Sequence, residues 1–158
     1  MDITIRRGHL EDLAELQRLF VDTVHTVCAM NYNEEQIQAW TSSVEKIERW
    51  NDIVTKQFLL VAQDGEKIVG FCSLEKDNDV DLLYVHKDYQ GQGIATQLYG
   101  CIEQEAIRRE QTQLVADVSI TAKPFFEKMG FKLVEKQAVK SQGVELVNYK
   151  MTKELKKQ

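Results

Sequence analysis

The segment from Val80 to Thr96 carries the clearest chemical signal in the chain, because a glycine-bearing loop there joins a predicted strand to a predicted helix. The loop reads Gln90-Gly91-Gln92-Gly93-Ile94-Ala95. The first turn of a helix leaves about four backbone N–H groups without helical partners, at the positive end of the helix dipole. Glycines let the chain curl and let a phosphate approach those groups. The pattern therefore indicates a cradle for phosphate or pyrophosphate.

Two well-known nucleotide loops fit this segment badly. A P-loop ends in Gly-Lys-Ser/Thr, whereas Ile94 follows Gly93 here. A dinucleotide fingerprint requires glycine at the position of Thr96, and it belongs after the first strand of a parallel unit. On the loop alone, a plain strand-to-helix turn and a nucleotide-binding fold both remain open.

Hydrophobic periodicity predicts the elements that position this loop. Strands are predicted at residues 2–6, 58–63, 67–75, 80–86, 114–119, 131–137 and 144–151. Helices are predicted at residues 9–28, 34–50, 93–109 and 121–129, with Asn33 as the N-cap of the second. Short polar connections such as Asp64-Gly65 favour antiparallel neighbours. This order predicts an α/β (α+β) fold, with a mostly antiparallel mixed sheet of about seven strands and helices on both faces.

The composition of the 158 residues narrows the class of protein. This length predicts one domain over residues 1–158. The net charge of −5 argues against nucleic acid as a partner, because nucleic-acid binding usually needs a basic domain or stripe. The longest clear apolar run, Phe58–Ala62, is far shorter than the ~20 residues of a spanning helix, so no membrane partner is expected. The three cysteines (Cys28, Cys72 and Cys101) form no Cys-x-x-Cys pair, and the histidines are scattered, which predicts reduced thiols, no metal site and a cytoplasmic protein.

Two segments of the chain resemble one known family. Gln90-x-x-Gly93-x-Ala95 after a strand resembles the acyl-CoA loop, Arg/Gln-x-x-Gly-x-Gly/Ala, of GNAT-type N-acetyltransferases. Ala122-Lys123-Pro124-Phe125-Phe126-Glu127-Lys128-Met129-Gly130-Phe131 resembles the Ala-x-x-Leu/Phe-Tyr-Glu-Lys-x-Gly-Phe helix of the same family. The element order also agrees, so the resemblance covers nearly the whole chain and implies the GNAT-type acyl-CoA N-acyltransferase fold. Residues 32–40 and 119–127 further resemble the little-characterised bacterial YafP-like branch.

The resemblance implies a binding site for acetyl-CoA as co-substrate. Its pyrophosphate would lie on the loop amides of Gln90, Gly91, Gln92, Gly93, Ile94, Ala95 and Thr96. Its pantetheine arm would pair with the exposed backbone of Leu83, Tyr84 and Val85, as in β-augmentation. Ser119, which stands where the family often has an asparagine, would bond that arm, and Phe125 and Phe126 would complete the site. A backbone N–H near Val85 would stabilise the oxyanion as the amine attacks.

The resemblance also implies a base, because an amine is mostly protonated at neutral pH and must lose a proton before it attacks. Alternation along the strand predicts that Asp79, Asp81, Leu83 and Val85 point to one face. If that face lines the cleft, Asp81 and Asp79 are the best candidates for the base, and Asp117 is the third. Alternatively, these aspartates are turn or edge residues, or they bind the substrate cation without taking its proton.

Phe126 departs from the family pattern. The family often has a tyrosine at this position, as the acid that reprotonates the thiolate of CoA. Phe126 has no proton to give, so Tyr84, Ser119 or water would replace that acid. A thiol has an ordinary pKa of about 8.5, so a thiolate also leaves with help from solvent alone.

The acceptor would be recognised by residues of the helical segment 21–50, which in the family pattern covers the cleft. Thr23, His25, Tyr32 and Trp40 are the candidates for lining it. Trp40 also falls on the apolar stripe of its predicted helix, which is typical of a core residue. A histidine such as His25 is more often a satisfied or surface residue than a catalytic one.

The family resemblance implies an acetyl-CoA-dependent N-acetyltransferase that moves the acetyl group directly to a primary amine within a ternary complex. The acceptor would be a small-molecule or polypeptide amine, and the enzyme would be a monomer or a homodimer. The alternative is a non-catalytic acyl-CoA-binding module on the same fold, which Phe126 favours. A nucleotide-binding fold is the third hypothesis.

Overall fold

Seven strands form one mixed sheet at the centre of the molecule. The computed structural model describes residues 2–156, and Met1, Lys157 and Gln158 lie outside the described residues. The strands are β1 (Ile3–Arg7), β2 (Phe58–Asp64), β3 (Lys67–Glu75), β4 (Asp79–Val85), β5 (Gln113–Ser119), β6 (Lys132–Ser141) and β7 (Val144–Glu154). Their spatial order is β1-β2-β3-β4-β5-β7-β6, and each neighbouring pair is antiparallel except β4 and β5. The predicted fold class is therefore confirmed.

Helices cover both faces of this sheet. They are α1 (Leu13–Thr26), α2 (Glu34–Thr41), α3 (Ile47–Lys56), α4 (Ile94–Arg108) and α5 (Lys123–Lys128). One face packs against α4 and α5, and Leu98, Ile102 and Ala106 of α4 are fully buried there, as the helical pattern predicts. The other face packs against α1, α2 and α3 through residues such as Phe20 and Trp50. Burying one large apolar side chain contributes about 1.5–3 kcal/mol, so both layers stabilise the sheet. None of the helices within residues 2–156 is long and apolar enough to cross a membrane.

The prediction of one helix over residues 34–50 is wrong. The chain leaves α2 at Thr41, passes through a short 3-10 turn at Ser42–Glu45 and begins α3 at Ile47. A continuous helix would place Ile47 on the apolar stripe, but Ile47 is 71% exposed. The break instead turns Trp50 inward, where its indole N–H donates to the carbonyl of Ser43 at 3.0 Å.

The start of α2 is fixed as its sequence predicts. Asn33 is the N-cap: its side chain accepts a hydrogen bond from the Gln36 N–H at 2.8 Å, and the Gln36 side chain accepts from the Asn33 N–H at 2.9 Å. This reciprocal pair is a capping box, which satisfies two N–H groups that the helix leaves free. Gln36 also donates from its side chain to the Glu145 carbonyl at 3.1 Å, which ties α2 to the β6–β7 hairpin.

Strands β4 and β5 are joined over a short distance and then diverge. Asp79 and Val115 are their one registered pair among the described residues, supported by the Val115 N–H donating to the Asn78 carbonyl at 2.9 Å. Each strand instead keeps its outer partner, β3 for β4 and β7 for β5. The sheet therefore opens in its middle, between the carboxyl ends of two adjacent parallel strands.

Candidate active site

The glycine loop adopts backbone conformations that suit glycine. Gly91 has φ 72° and Gly93 has φ 82°, both in the left-handed region. A Cβ built at either position would meet no atom within 4 Å, so the backbone angle rather than space requires glycine there. Gly93 is the N-cap of α4 and supplies no capping side chain.

The first turn of α4 presents free amides next to this loop. The Gln97 N–H is the first to bond along the helix, to the Gly93 carbonyl at 3.0 Å, and the first turn contains no acidic residue. Within residues 2–156, the N–H groups of Ile94, Ala95 and Thr96 have no protein acceptor. These amides therefore offer the positive end of the helix dipole to an anion.

A cavity of about 330 Å³ lies against these amides and is called the loop groove here. It brings together most of the residues expected to bind the co-substrate: Leu83, Tyr84, Val85, Gln90, Gly91, Gly93, Ile94, Ala95, Thr96, Ser119 and Phe125. Gln92 is exposed and does not line it, and Phe126 faces a different cavity. The groove also has a wall from α1 and the turn after it, through Thr23, Val27 and Cys28.

The end of β4 offers backbone groups to this groove. The His86 N–H donates to the Val69 carbonyl on the β3 side at 2.8 Å. Successive residues of a strand direct their amide groups to opposite sides, so those of Leu83 and Val85 point away from β3, into the opening beside β5. The Gln90 side chain donates to the Val85 carbonyl at 2.5 Å, and the Val85 N–H is left for a ligand.

A second cavity, of about 310 Å³, adjoins the loop groove and is called the acidic cleft here. Its walls come from β4, β5, the β6–β7 hairpin and helices α2 and α3. Four residues line both cavities: Leu83, Tyr84, Ser119 and Ala122. A molecule extended along the loop groove therefore reaches the acidic cleft between the diverging strands.

Asp81 lines the acidic cleft but is held by protein donors. Arg49 binds its two carboxylate oxygens at 3.1 and 3.2 Å, and the Gln57 side chain donates to it at 2.8 Å. The register of β3 and β4 passes from Ser73 opposite Leu82 to Leu74 opposite Val80, so Asp81 is the extra residue of a β-bulge. Three donors from the protein therefore already occupy the oxygens of this carboxylate.

The same bulge overturns the expectation that Asp79, Asp81, Leu83 and Val85 share one face. Leu83 and Val85 pack in the layer under α4, whereas Asp81 bonds Arg49 of α3 on the opposite face. Strict alternation fails because one extra residue in a strand reverses the faces of those that follow.

Asp79 has the most unusual carboxyl group of the site. Burial, together with the nearby carboxylates of Asp81, Glu75 and Asp117, raises the pKa of Asp79 from 3.8 to about 6. Asp79 does not itself line the acidic cleft, although two of those neighbours do. It is therefore a group that exchanges a proton near neutral pH, one layer behind the cleft wall.

Asp117 is the exposed carboxylate of the cleft. Its partner among the described residues is the side-chain amide of Gln137, at 3.1 Å, which is neutral. Lys150 lies opposite Asp117 across β5 and β7, but it is exposed and does not line the cleft. The negative charge of Asp117 is thus available to a cation in the cleft.

Tyr84 stands between the two cavities. Its ring packs edge-on against Phe20 at 5.1 Å and also contacts Phe71 at 5.6 Å. Burial, together with the nearby Cys28 thiol and Asp81 carboxylate, raises the pKa of the Tyr84 phenol. The hydroxyl therefore keeps its proton at neutral pH and can act as a donor.

Phe126 and Ser119 occupy the positions where the family resemblance raised a question. Phe126 is buried and packs edge-on against Phe125 and Phe131, with ring centroids 5.7 and 5.0 Å apart. The Ser119 hydroxyl oxygen accepts from the Ala122 N–H at 3.1 Å, and its own proton is left to donate. The hydroxyl groups that line both cavities are thus those of Tyr84 and Ser119, and Phe126 contributes an apolar ring that has no proton to donate.

The residues expected to line the acceptor site are placed differently from one another. Tyr32 and Trp40 line the acidic cleft, with ring centroids 5.2 Å apart. Thr23 lines the loop groove instead. His25 is exposed in a separate groove beside Gln38 and Glu35 and lines neither the loop groove nor the acidic cleft. His25 lies in the last turn of α1.

Tyr32 also has a structural task. Its hydroxyl donates to the Val147 carbonyl at 2.6 Å and accepts from the Ile120 N–H at 2.9 Å. It therefore ties the segment before α2 to β7 and to the chain that leaves β5. This contact holds the far wall of the acidic cleft.

Sequence reasoning missed Arg49 and Gln57, which hold Asp81. No motif marks either residue, and Arg49 reaches the cleft because α3 begins with a turn that the helical pattern does not predict. The β7 residues Val147 and Asn148 were also missed. They become cleft residues through strand order, since β7 lies between β5 and β6.

Comparison with known proteins decides the family. The model of the acetyltransferase (GNAT) domain matches residues 28–153, most of the chain. The chain belongs to the GNAT acetyltransferase family. The expected resemblance is confirmed.

Individual GNAT relatives agree over nearly the full length. The chain is 32% identical over 150 residues to the uncharacterized N-acetyltransferase YafP of Escherichia coli, covering 95% of each protein. It is 33% identical to a GCN5-related N-acetyltransferase from Rhodopseudomonas palustris, with a TM-score of 0.93 over 98% of this chain and 97% of that one. The PaiA N-acetyltransferase of Thermoplasma acidophilum, solved in complex with coenzyme A, is 22% identical and has a TM-score of 0.81 over 98% of this chain and 100% of that one. This last likeness concerns the GNAT fold.

Proposed function

We propose that this chain is an acetyl-CoA-dependent N-acetyltransferase that moves the acetyl group to a primary amine by direct attack in a ternary complex. The observation that carries the proposal is the meeting of the loop groove and the acidic cleft at Tyr84 and Ser119. One cavity suits a long anionic ligand, and the other suits a cation. The place where they meet is where an acyl donor and an amine come into contact.

Acetyl-CoA fits the loop groove in its charge and its shape. Its pyrophosphate suits the free amides at the start of α4, as anions suit helix N-termini generally. Its extended arm suits the unpaired edge of β4, where the backbone N–H and carbonyl of Leu83 supply strand-like hydrogen bonds. Coenzyme A in the fold relative PaiA supports this choice of ligand.

The Val85 N–H also suits the reacting carbonyl. As the amine nitrogen attacks the thioester carbon, negative charge develops on the carbonyl oxygen, and a fixed backbone donor stabilises it. The C–S bond then breaks and the amide is complete, with the thiolate as leaving group. Tyr84 or Ser119 returns a proton to that sulfur, since both hydroxyls line the opening and Phe126 has none.

The proton of the incoming ammonium passes to the carboxylates of the cleft. Asp117 attracts the cation, and Asp79 has a pKa of about 6, close to that of an effective base at neutral pH. Because Asp79 lies behind the cleft wall, a water molecule carries the proton between them. No residue in this sequence of steps forms a covalent bond to the acetyl group.

Phe126 supports a second candidate, a non-catalytic acyl-CoA-binding module on the same fold. Its buried phenyl ring replaces the acid that GNAT enzymes often have in this helix. This candidate needs the loop groove and leaves the charges of the acidic cleft without a role.

Three measurements test the proposal. Acetyl-CoA should raise the melting temperature more than ATP or NAD at equal concentration, because a ligand that binds the folded state stabilises it. Initial rates with acetyl-CoA and an amine varied together should give intersecting lines, and the protein should stay unacetylated in intact mass spectra. Equal stabilisation by ATP would contradict the choice of ligand, and parallel lines with an acetylated protein would contradict direct transfer.

A further inference from the structure

From the charges of the acidic cleft, we infer that the acceptor is a free amino acid, whose ammonium meets Asp117 and whose carboxylate meets Arg49. This inference rests on the proposed function and narrows its acceptor. It assigns Arg49 as a residue that determines specificity. Three observations carry it: the binding capacity of Arg49, the charge balance of the cleft and the volume of the cleft.

Arg49 keeps unused capacity for a carboxylate. Its Nη1 and Nη2 atoms bind the two oxygens of Asp81, at 3.2 and 3.1 Å. A guanidinium has five N–H donors, so its side edge with Nε has no acceptor among the residues that the structure describes. The Arg49 side chain lines the cleft and is 43% exposed, against 16% for Asp81. An edge of this kind binds a second carboxylate with two parallel hydrogen bonds.

The charges of the cleft form an alternating set. Asp81 is neutralised by Arg49 and further satisfied by Gln57, so it contributes little free negative charge. Asp117 has a neutral partner, Gln137, and keeps its charge. Asp117 therefore attracts a cation, and the free Nε edge of Arg49 donates hydrogen bonds to a carboxylate, so the cleft offers a partner to each charged group of an amino acid.

The cleft also sets a limit on size. Its volume of about 310 Å³ is at the lower end of ligand pockets, which run from about 300 to 1,000 Å³. Trp40, Tyr32 and Leu146 give it apolar wall area beside the charges. These walls suit the side chain of an amino acid. A polypeptide amino terminus lacks a carboxylate next to its amine and leaves the Arg49 edge unpaired.

The test compares amines that differ in the carboxylate alone. The rate of thiol release from acetyl-CoA is first measured with each of the standard amino acids. Each amino acid that is a substrate is then compared with its carboxamide and its decarboxylated amine, for example leucine with leucinamide and 3-methylbutylamine. At least one free amino acid should have a kcat/KM about tenfold or more above those of its amide and its amine, since two charge-assisted hydrogen bonds to the carboxylate contribute that much discrimination.

Variants of Arg49 separate its role in specificity from a structural role. Arg49→Lys keeps the charge and loses the fork, so it should raise the KM of the free amino acid more than the KM of its amide and thereby cut the preference for the carboxylate. The double variant Arg49→Gln/Asp81→Asn removes both charges of the pair together, leaves no unpaired buried charge, and should abolish the preference. Circular dichroism and acetyl-CoA affinity serve as checks on folding.

Two results would overturn the inference, and they differ from each other. In the first, the enzyme acetylates amides and decarboxylated amines as fast as free amino acids, and Arg49→Lys slows all of them equally. This result would exclude a carboxylate site at Arg49 but would not contradict the proposed function. No thiol release with any amine of the panel, in a protein that still binds acetyl-CoA, would overturn the proposed function and this inference with it.

Discussion

Asp79 of β4 lies opposite Val115 of β5, and no other registered pair joins these two parallel strands within residues 2–156. Past this point the strands diverge, and the loop groove and the acidic cleft meet in the opening. The two strands that border the opening are each held on their other side, because β4 is paired with β3 and β5 is paired with β7. The site is thus a break in a sheet, with backbone groups as well as side chains facing a ligand.

Replacing Gly93 should separate ligand binding from backbone strain. Gly93→Ala forces an alanine into φ 82°, which costs about 1–2 kcal/mol of stability and shifts the amides at the start of α4. We expect the Kd for acetyl-CoA, measured by calorimetry, to rise about tenfold or more. Gly65→Ala is the matched control, since Gly65 also has a positive φ, 63°, with no neighbour at its Cβ position. It should lose similar stability and bind acetyl-CoA normally, and equal weakening in both variants would count against the loop as the binding site.

The hydroxyl of Tyr84 should matter for turnover and not for binding. Tyr84→Phe keeps the ring that packs against Phe20 and Phe71 and removes the donor at the junction of the cavities. If this hydroxyl returns the proton to the leaving thiolate, kcat should fall by about tenfold to a hundredfold, while the Kd for acetyl-CoA stays unchanged. Ser119→Ala gives the parallel measurement for the other hydroxyl. Full activity in Tyr84→Phe would leave Ser119 or water as the donor.

The stability of the protein should reveal the raised pKa of Asp79. Because its pKa is about 6 in the folded protein and 3.8 ordinarily, ionisation of Asp79 opposes folding. Below both values the carboxyl is protonated in both states and there is no penalty. The penalty grows as the pH rises from about 4 to 6 and is constant above that. The free energy of unfolding of Asp79→Asn, compared with that of the unmodified protein, should therefore increase from pH 4 to pH 7, by about 1–2 kcal/mol after allowance for partial exposure. Denaturant titrations at several pH values measure it, and a difference that shrinks as the pH rises would contradict the assignment.

Tyr32 should be more important for the cleft wall than for chemistry. Tyr32→Phe leaves the Val147 carbonyl and the Ile120 N–H without their partner, which should lower the free energy of unfolding by about 1–3 kcal/mol. Tyr149→Phe is the control, because the Tyr149 hydroxyl has no hydrogen-bond partner among the described residues, and its ring contacts Lys123. It should change stability by less than about 0.5 kcal/mol. An equal decrease in the free energy of unfolding in both variants would contradict the bridging role of Tyr32.

The parts of the structure that local patterns determine were predictable from the sequence. Alternation and helical periodicity give the strands and the buried face of α4 at Leu98, Ile102 and Ala106. The capping of α2 by Asn33 follows from residue type. The glycine loop before α4 is also readable, because left-handed angles at Gly91 and Gly93 restrict the residue type.

Features that depend on distant contacts were not predictable in this way. The bulge at Asp81 is set by the register of β4 against β3, and alternation along β4 contains no sign of it. Arg49 reaches Asp81 because the predicted helix is interrupted at Ser42–Glu45, and the same break places Trp50 in the core. His25 shares helix α1 with Thr23, but the direction of each side chain depends on where α1 crosses the sheet. These are tertiary effects, and one sequence does not specify them residue by residue.

Release of CoA thiol from acetyl-CoA in the presence of primary amines tests the central claim most directly. The account predicts thiol release that depends on the amine, equals the amount of N-acetylated product, and shows a raised KM for acetyl-CoA in Gly93→Ala with no such change in Gly65→Ala. If the protein binds acetyl-CoA in calorimetry but releases no more thiol with any amine than without one, the claim of N-acetyltransferase activity is contradicted. The non-catalytic acyl-CoA-binding module would then be the function that the structure supports.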